Sequence, residues 1–337
     1  MVKSFRFPEY HCAFKKVFID FIQYKKATGR KERLYATVLK TFDTYCVQKF
    51  PSVSSLDRNV VNSFLQVTEH HKFSTVLTYA SVLRELGRYM RQMQGIGDAY
   101  VAKLRGSRKS TYTPYIFNRE QIVLVLEKAS DFRACNNKIN PNMKNVVSCL
   151  YTMLYCTGVR VSEALSLKLN DVSLDKQTIL VTESKSGKQR ILPISNSLVK
   201  GFRDYYKRRC SLYNTYFFDS GSNHNYGRID AKTAYRYFRV ILEEAGIPHR
   251  GKGEGPRLHD LRDTFAVHSL QKLVSYGGDV NVTLEYLSLY MGHRSIYETQ
   301  DYLWMTEELA TDLLDKTSVD AAFLSDEYSR MVADNDI

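Results

Sequence analysis

The sequence predicts a mainly α-helical protein in two parts, with one small β-hairpin in the second. Three observations carry this. Apolar residues recur at three- and four-residue spacing over most of the chain, as in helices that bury one face. One stretch, "QTILVTESKSGKQRILPIS", instead shows two β-rich runs around the turn pair Ser186-Gly187. Between the two parts lies "RGSRKSTYTPY" (105–115), polar, basic, closed by Pro114 and without periodicity, which reads as a linker.

Each element follows from its residues. In "HCAFKKVFIDFIQYKKATGR" the positions Phe14, Val17, Phe18 and Phe21 predict an amphipathic helix ending near Gly29. "RLYATVLKTFDTYCVQKF" repeats the pattern until Pro51, whose ring and missing N–H stop it. Asp57 is placed to cap "DRNVVNSFLQVTEHH", and Ser74 to open "STVLTYASVLRELGRYMRQM". Residues 1–104 are therefore expected to form a bundle of about four helices. Helical patterns resume at 119–130 and in "NMKNVVSCLYTMLYCTGVR", which Gly158 is suited to end. After the hairpin, the pattern from Asp230 is helical again, interrupted by "GIPHRGKGEGPR". This second part, 116–310, is thus of α+β type, and an acidic segment, 311–337, closes the chain.

The 337 residues are 44% hydrophobic and 25% charged, which suits a globular protein of about two domains. No run of about 18 apolar residues offers a membrane span, and "MVKSFRFPEY" lacks the apolar core of a secretory signal, so a cytoplasmic protein is expected. The six cysteines form no CxxC pair and lie in apolar segments, which predicts reduced, buried thiols and no structural metal. The formal net charge of +12 is unevenly placed: residues 1–110 hold 20 Lys and Arg against 8 Asp and Glu, and the remainder balances. A basic first part points to a polyanion, because neutralising phosphates releases their counterions. A solvated lysine surface would have the same composition.

Several short stretches of the second part carry candidate chemistry. In "CTGVRVSEALSL", Arg160 follows a helix-ending glycine and can present its fork of donors to a phosphate, with Glu163 three residues on. In "RLHDLRDTFAVHSL", His259 and Arg262 share one helical face, with Leu261 and Phe265 free to pack inward. Lys185 stands at the edge of the hairpin turn, and "GHRSIYETQDY" places Tyr302 nine residues after His293. Each has a plainer reading alone: a surface ion pair, an exposed helix face, a solubilising lysine, a chance pair.

Taken in order, Arg160, Lys185, His259, Arg262, His293 and Tyr302 resemble the pattern of the tyrosine recombinase (phage integrase) family. That pattern is an arginine in a "TGxRxSE" context, a hairpin lysine, an HxxR helix, a "GH" histidine and a tyrosine nine residues beyond it. The resemblance implies a helical, SAM-like core-binding domain followed by an α+β catalytic domain. It implies that Arg160 and Arg262 bind the scissile phosphate with His293, that Lys185 protonates the leaving 5′ oxygen, and that His259 handles the proton of the nucleophile, Tyr302. Lys188 is a second hairpin lysine, and Tyr290 and Tyr297 are neighbouring tyrosines that miss the spacing and would pack or touch DNA. Where many family members carry a histidine after the HxxR arginine, this chain has Asp263, expected to brace or partly neutralise Arg262 and given no chemical role.

The same resemblance implies a site-specific recombinase, acting without metal, cofactor or ATP, as a homotetramer on two duplexes with inverted-repeat core sites. Accessory DNA-bending factors are compatible partners, and a nucleoid-associated, prokaryotic or mobile-element setting is expected. In this picture the two domains clamp the duplex, with Arg105, Arg108 and Lys109 of the linker on phosphates. The apolar residues Val319, Phe323, Leu324 and Met331 of the closing segment either dock on a neighbouring protomer or pack on their own domain. Two other functions remain open at this point: a type IB topoisomerase-like enzyme that relaxes DNA, and a non-catalytic DNA-binding accessory factor.

Overall fold

The computed structural model describes residues 7–67, 71–106, 112–132, 143–182, 189–209, 215–219, 227–249 and 255–305. The chain divides into two compact units, residues 1–111 and 112–337. Among the described residues the first holds four helices, α1 (Lys15–Ala27), α2 (Glu32–Lys49), α3 (Arg58–Val67) and α4 (Phe73–Met93). Their apolar stripes meet in one core that includes Phe18, Phe21, Phe42, Phe64 and Leu83. Gly29 takes a left-handed φ of 77° just past α1, and the Asp57 carboxylate accepts from the backbone N–H of Val60 at 2.9 Å, as their places in the sequence predict. Ser74 does not open its helix; α4 begins at Phe73, and its N-cap, Lys72, makes no side-chain cap.

The backbone after α4 stays on its own unit. Gly87 leaves no room for a Cβ against the carbonyl of Tyr100, and Arg84 donates to the carbonyls of Ala102 and Leu104. Arg105, the described member of the expected linker contacts, is exposed. Arg108 and Lys109 lie outside the described residues, as do Lys185, Lys188 and the closing segment 311–337.

The second unit is built on α6 (Met143–Thr157), whose Val146, Val147, Leu150, Tyr151, Met153 and Leu154 are buried. Around it pack α5 (Arg119–Asp131), α8 (Asn196–Lys207) and α10 (Asp260–Ser275), with α9 (Ala231–Glu244) against α5. A short α7 (Val161–Ser166) follows Gly158. Farther along, α11 (Val280–Met291) and a single turn, α12 (Tyr297–Gln300), complete the unit. The expected hairpin is part of a three-stranded antiparallel sheet: β1 (Val172–Ser173), β2 (Thr178–Val181) and β3 (Arg190–Pro193), in the order β1-β2-β3. Its register pairs Ile179 with Leu192 and Val181 with Arg190, which puts Ile179, Val181 and Leu192 into the core.

Helix α8 had no counterpart in the sequence reading, although Ser195 caps it and Leu198, Val199, Phe202 and Tyr205 form its buried stripe. Of the described cysteines, Cys12, Cys46 and Cys149 are buried as expected, but Cys156 is exposed. No helix among the described residues is long and apolar enough to cross a membrane.

Gly158 has a left-handed φ of 58°, and a Cβ there would run into the Phe265 ring. Gly158→Ala is expected to cost about 2–4 kcal/mol, combining the left-handed backbone penalty with overpacking. Gly201, inside α8 with open space around it, is the control: Gly201→Ala should stabilise by about 0.5–1 kcal/mol. Denaturant midpoints of the two variants check both values.

Candidate active site

The site begins at the turn after α6. Left-handed Gly158 turns the chain so that Arg160 becomes the N-cap of α7, and its backbone N–H donates to Glu163 Oε2 at 3.0 Å. The same carboxylate is the anchor for two guanidiniums. Arg160 Nη1 donates to Oε1 at 3.0 Å, and Arg190, at the start of β3, donates to Oε2 at 2.7 Å and Oε1 at 3.2 Å. Glu163 is only 2% exposed, and burial alone would raise its carboxyl; Arg190 and then Arg160 outweigh this and hold it below the ordinary value.

The end of α11 supplies the second set of anchors. Three successive carbonyls accept from three different arginines: Tyr290 O from Arg190 Nε at 3.1 Å, Met291 O from Arg262 Nη2 at 3.0 Å, and Gly292 O from Arg160 Nη2 at 3.3 Å. Arg262 also donates to Gly158 O at the end of α6. Far from forming an exposed face with His259, Arg262 is 2% exposed within a fully buried first turn of α10, residues 260–264, while His259 caps that helix and remains open to solvent. Burial and then Arg160 lower Arg262 to about 10, which leaves it charged at neutral pH.

Gly292, in the left-handed region with φ 67°, reverses the chain and delivers His293. His293 Nδ1 is 2.7 Å from Thr299 Oγ1, and the imidazole stacks on the Tyr302 ring with centroids 6.1 Å apart. Tyr302 is fixed by the turn after α12, and its hydroxyl donates to Asp263 Oδ1 at 2.8 Å. The Asp263 carboxylate therefore takes its hydrogen bond from the tyrosine, while its charge still acts on neighbouring Arg262, the partial neutralisation that its place in the sequence suggests. Burial, then the Asp263 charge, raises the Tyr302 phenol, and burial raises the Asp263 carboxyl.

Arg160, His259, Arg262, His293, Arg294, Glu298 and Tyr302 line one cavity of about 280 Å³. Five of the six residues singled out from the sequence are thus brought together, all from one chain; the sixth, Lys185, lies outside the described residues. Within the cavity, desolvation and then Arg262 push His293 down to about 3. The same causes push His259 to about 4, an effect tempered by its solvent-open surface. Both imidazoles are neutral at pH 7, ready to donate one N–H without adding charge. Among the described residues, no three His, Cys, Asp or Glu side chains converge as a metal set would. Sequence reasoning missed Arg190, Asp263 as a tyrosine partner, and Thr299. Tyr290 packs against Phe265, and Tyr297 is exposed.

The chain belongs to the phage integrase family, whose pattern matches residues 130–308, just over half of it. Its relatives carry the same stamp. A Sinorhizobium fredii protein named as an integrase/recombinase, y4rB, is 32% identical over 208 residues, covering 60% of this chain and 64% of that one. The tyrosine recombinase XerA of Pyrococcus furiosus is 25% identical over 304 residues, 86% of this chain and 97% of the relative. Among solved structures, XerH recombinase bound to its difH substrate before cleavage shares the fold with a TM-score of 0.63 at 20% identity, covering 91% of this chain and 85% of that chain.

Removing the shared carboxylate leaves two guanidiniums uncompensated, so Glu163→Ala is expected to cost about 3–5 kcal/mol. Acid acts in the same direction for two reasons. Glu163 is depressed, so its contribution is present above the ordinary carboxyl range and lost as pH falls through it. His293 is depressed below 6.5, so the unfolded chain binds more protons between about 6.5 and 3, and stability falls with pH across that window. Thermal unfolding against pH checks this, and His293→Gln should flatten the histidine part of the slope.

Proposed function

We propose that this protein is a site-specific DNA recombinase in which Tyr302 attacks a phosphodiester held by Arg160, Arg262 and His293. The carrying observation is that one chain's own tyrosine and arginines line the same cavity. A free phenol titrates near 10 and is a poor nucleophile until its anion is stabilised. Two guanidiniums that stay charged at neutral pH, anchored on carbonyls and on Glu163, supply fixed positive charge where the non-bridging oxygens of the transition state gather electrons.

In this reading the tyrosine oxygen displaces the 5′ oxygen, forming a 3′-phosphotyrosyl link and a free 5′ hydroxyl. Lys185, beyond β2, protonates the leaving oxygen. The bond energy is kept in the phosphotyrosyl link, so a 5′ hydroxyl from another duplex rejoins the strand without ATP or a metal. Each protomer cuts the strand bound in its own cavity. Two duplexes with inverted-repeat cores and four protomers pass through a Holliday junction. The basic first unit, with exposed Arg105, adds backbone contacts that fix position and not sequence. Such an enzyme acts on chromosomal or mobile-element DNA.

A duplex carrying the inverted repeat that flanks the gene, nicked just beyond the scissile phosphate so that the short fragment escapes, should trap a covalent adduct. Tyr302→Phe should trap none. Arg262→Ala should bind the duplex nearly as well and cleave it about 100- to 1000-fold more slowly. An adduct that survives Tyr302→Phe refutes the nucleophile. Relaxed circles without recombinant products from two sites would refute strand exchange.

A further inference from the structure

The proposed reaction leaves one proton unassigned, that of the Tyr302 hydroxyl, and the hydrogen bonding around it points away from histidine. His293 stacks on the tyrosine ring and engages Thr299 through Nδ1. His259, at the N-cap position of α10 with no side-chain cap, is exposed, and Tyr302 does not hydrogen-bond to it. The group that receives the hydroxyl's hydrogen bond is the Asp263 carboxylate, at 2.8 Å, and it is 6% exposed, so bulk water does not compete for the same place.

We propose that Asp263 is the proton acceptor for Tyr302 in strand cleavage and the donor that returns the proton on rejoining. The proposal rests on the function proposed above. In the forward step the Tyr302 O–H bond breaks to Asp263 and the phenolate oxygen forms a bond to phosphorus. The bond from phosphorus to the 5′ oxygen breaks, and that oxygen takes its proton from the general acid. Rejoining runs the same transfers backwards, and no oxidation is involved.

The surroundings couple the transfer to DNA. Arg262, next in the chain, draws the Asp263 carboxyl down and so makes it a weaker base in the free protein, while His259 and His293 are neutral. A phosphodiester arriving between Arg160 and Arg262 neutralises that field, so the carboxylate gains basicity when there is a phosphorus to attack. Burial acts in the same direction, since it favours the protonated carboxyl that the transfer produces. An unloaded site keeps its tyrosine protonated and hydrogen-bonded.

The test uses the full-length protein and the nicked duplex described above, with adduct formation followed in a single turnover. Asp263→Asn keeps the shape and can still accept the hydrogen bond, but cannot hold the proton; it should bind the duplex and cleave at least about 100-fold more slowly. Placing 2,3,5-trifluorotyrosine at position 302, a phenol that ionises without a base, should restore Asp263→Asn to within about tenfold of the native rate. A duplex with sulfur in place of the bridging 5′ oxygen, which needs no general acid, should not restore it. Asp263→Glu, which keeps a carboxylate, should outpace both Asp263→Asn and Asp263→Ser, and this comparison stands in if Asp263→Asn does not fold. The assignment is overturned if Asp263→Asn cleaves at the native rate, if the slowed variant ignores the fluorinated tyrosine, or if Asp263→Glu is no faster than Asp263→Ser. A native chain that forms no Tyr302-dependent adduct overturns the proposed function itself.

Discussion

Three carbonyls at the C-terminal end of α11 hold three arginines, and the second unit is organised so that this can happen. The last carbonyls of a helix have no partner within it and carry the negative end of its dipole. Here those of Tyr290, Met291 and Gly292 accept from Arg190, Arg262 and Arg160, which come from a strand, a helix start and the turn after α6. Guanidiniums drawn together in a partly dry cavity repel one another. Carbonyl dipoles position them without cancelling their charge, and the buried carboxylate of Glu163, paired with Arg160 and Arg190, offsets part of the repulsion.

The remaining features follow from that arrangement. Arg160 reaches its carbonyl because left-handed Gly158 turns the chain sharply after α6, and the packing of Phe265 against that glycine excludes any side chain. Arg190 ties β3, and with it the strand pair flanking Lys185, to Glu163 and to α11, so the site and the hairpin base share one fixed frame. Gly292 ends α11 in the left-handed region, and the chain then returns through α12 to place His293 and Tyr302 beside Arg262. Apolar packing of Val267, Leu270, Leu287 and Met291 with the Tyr302 ring fastens that return.

Much of this could be read before any coordinates. Periodic apolar residues located the four helices of the first unit and α5, α6 and α10 of the second, because a helix that buries one face must repeat at its own period. The order of Arg160, His259, Arg262, His293 and Tyr302 marked the site, since each sits in a recognisable local context. Arg190 and Asp263 were out of reach for a physical reason. Arg190 is polar in a short strand, where nothing local distinguishes a surface residue from one that meets Glu163, 27 residues back, and Tyr290, 100 residues on. Asp263 adjoins Arg262, but neighbours on a helix point about 100° apart, so adjacency suggested a pair that the geometry gives to Tyr302. Helix α8 carried a cap and an apolar stripe that the reading passed over, and β1 is too short for any period to show.

The charged groups around the cavity also fix what it can accept. Arg160, Arg262, Arg294 and Glu298 line it, Glu163 pairs with Arg160 and with Arg190, Asp263 accepts from Tyr302, and the imidazoles are neutral. Among the described residues the arginines outnumber the carboxylates, so the field in the cavity is positive and draws phosphate oxygens in.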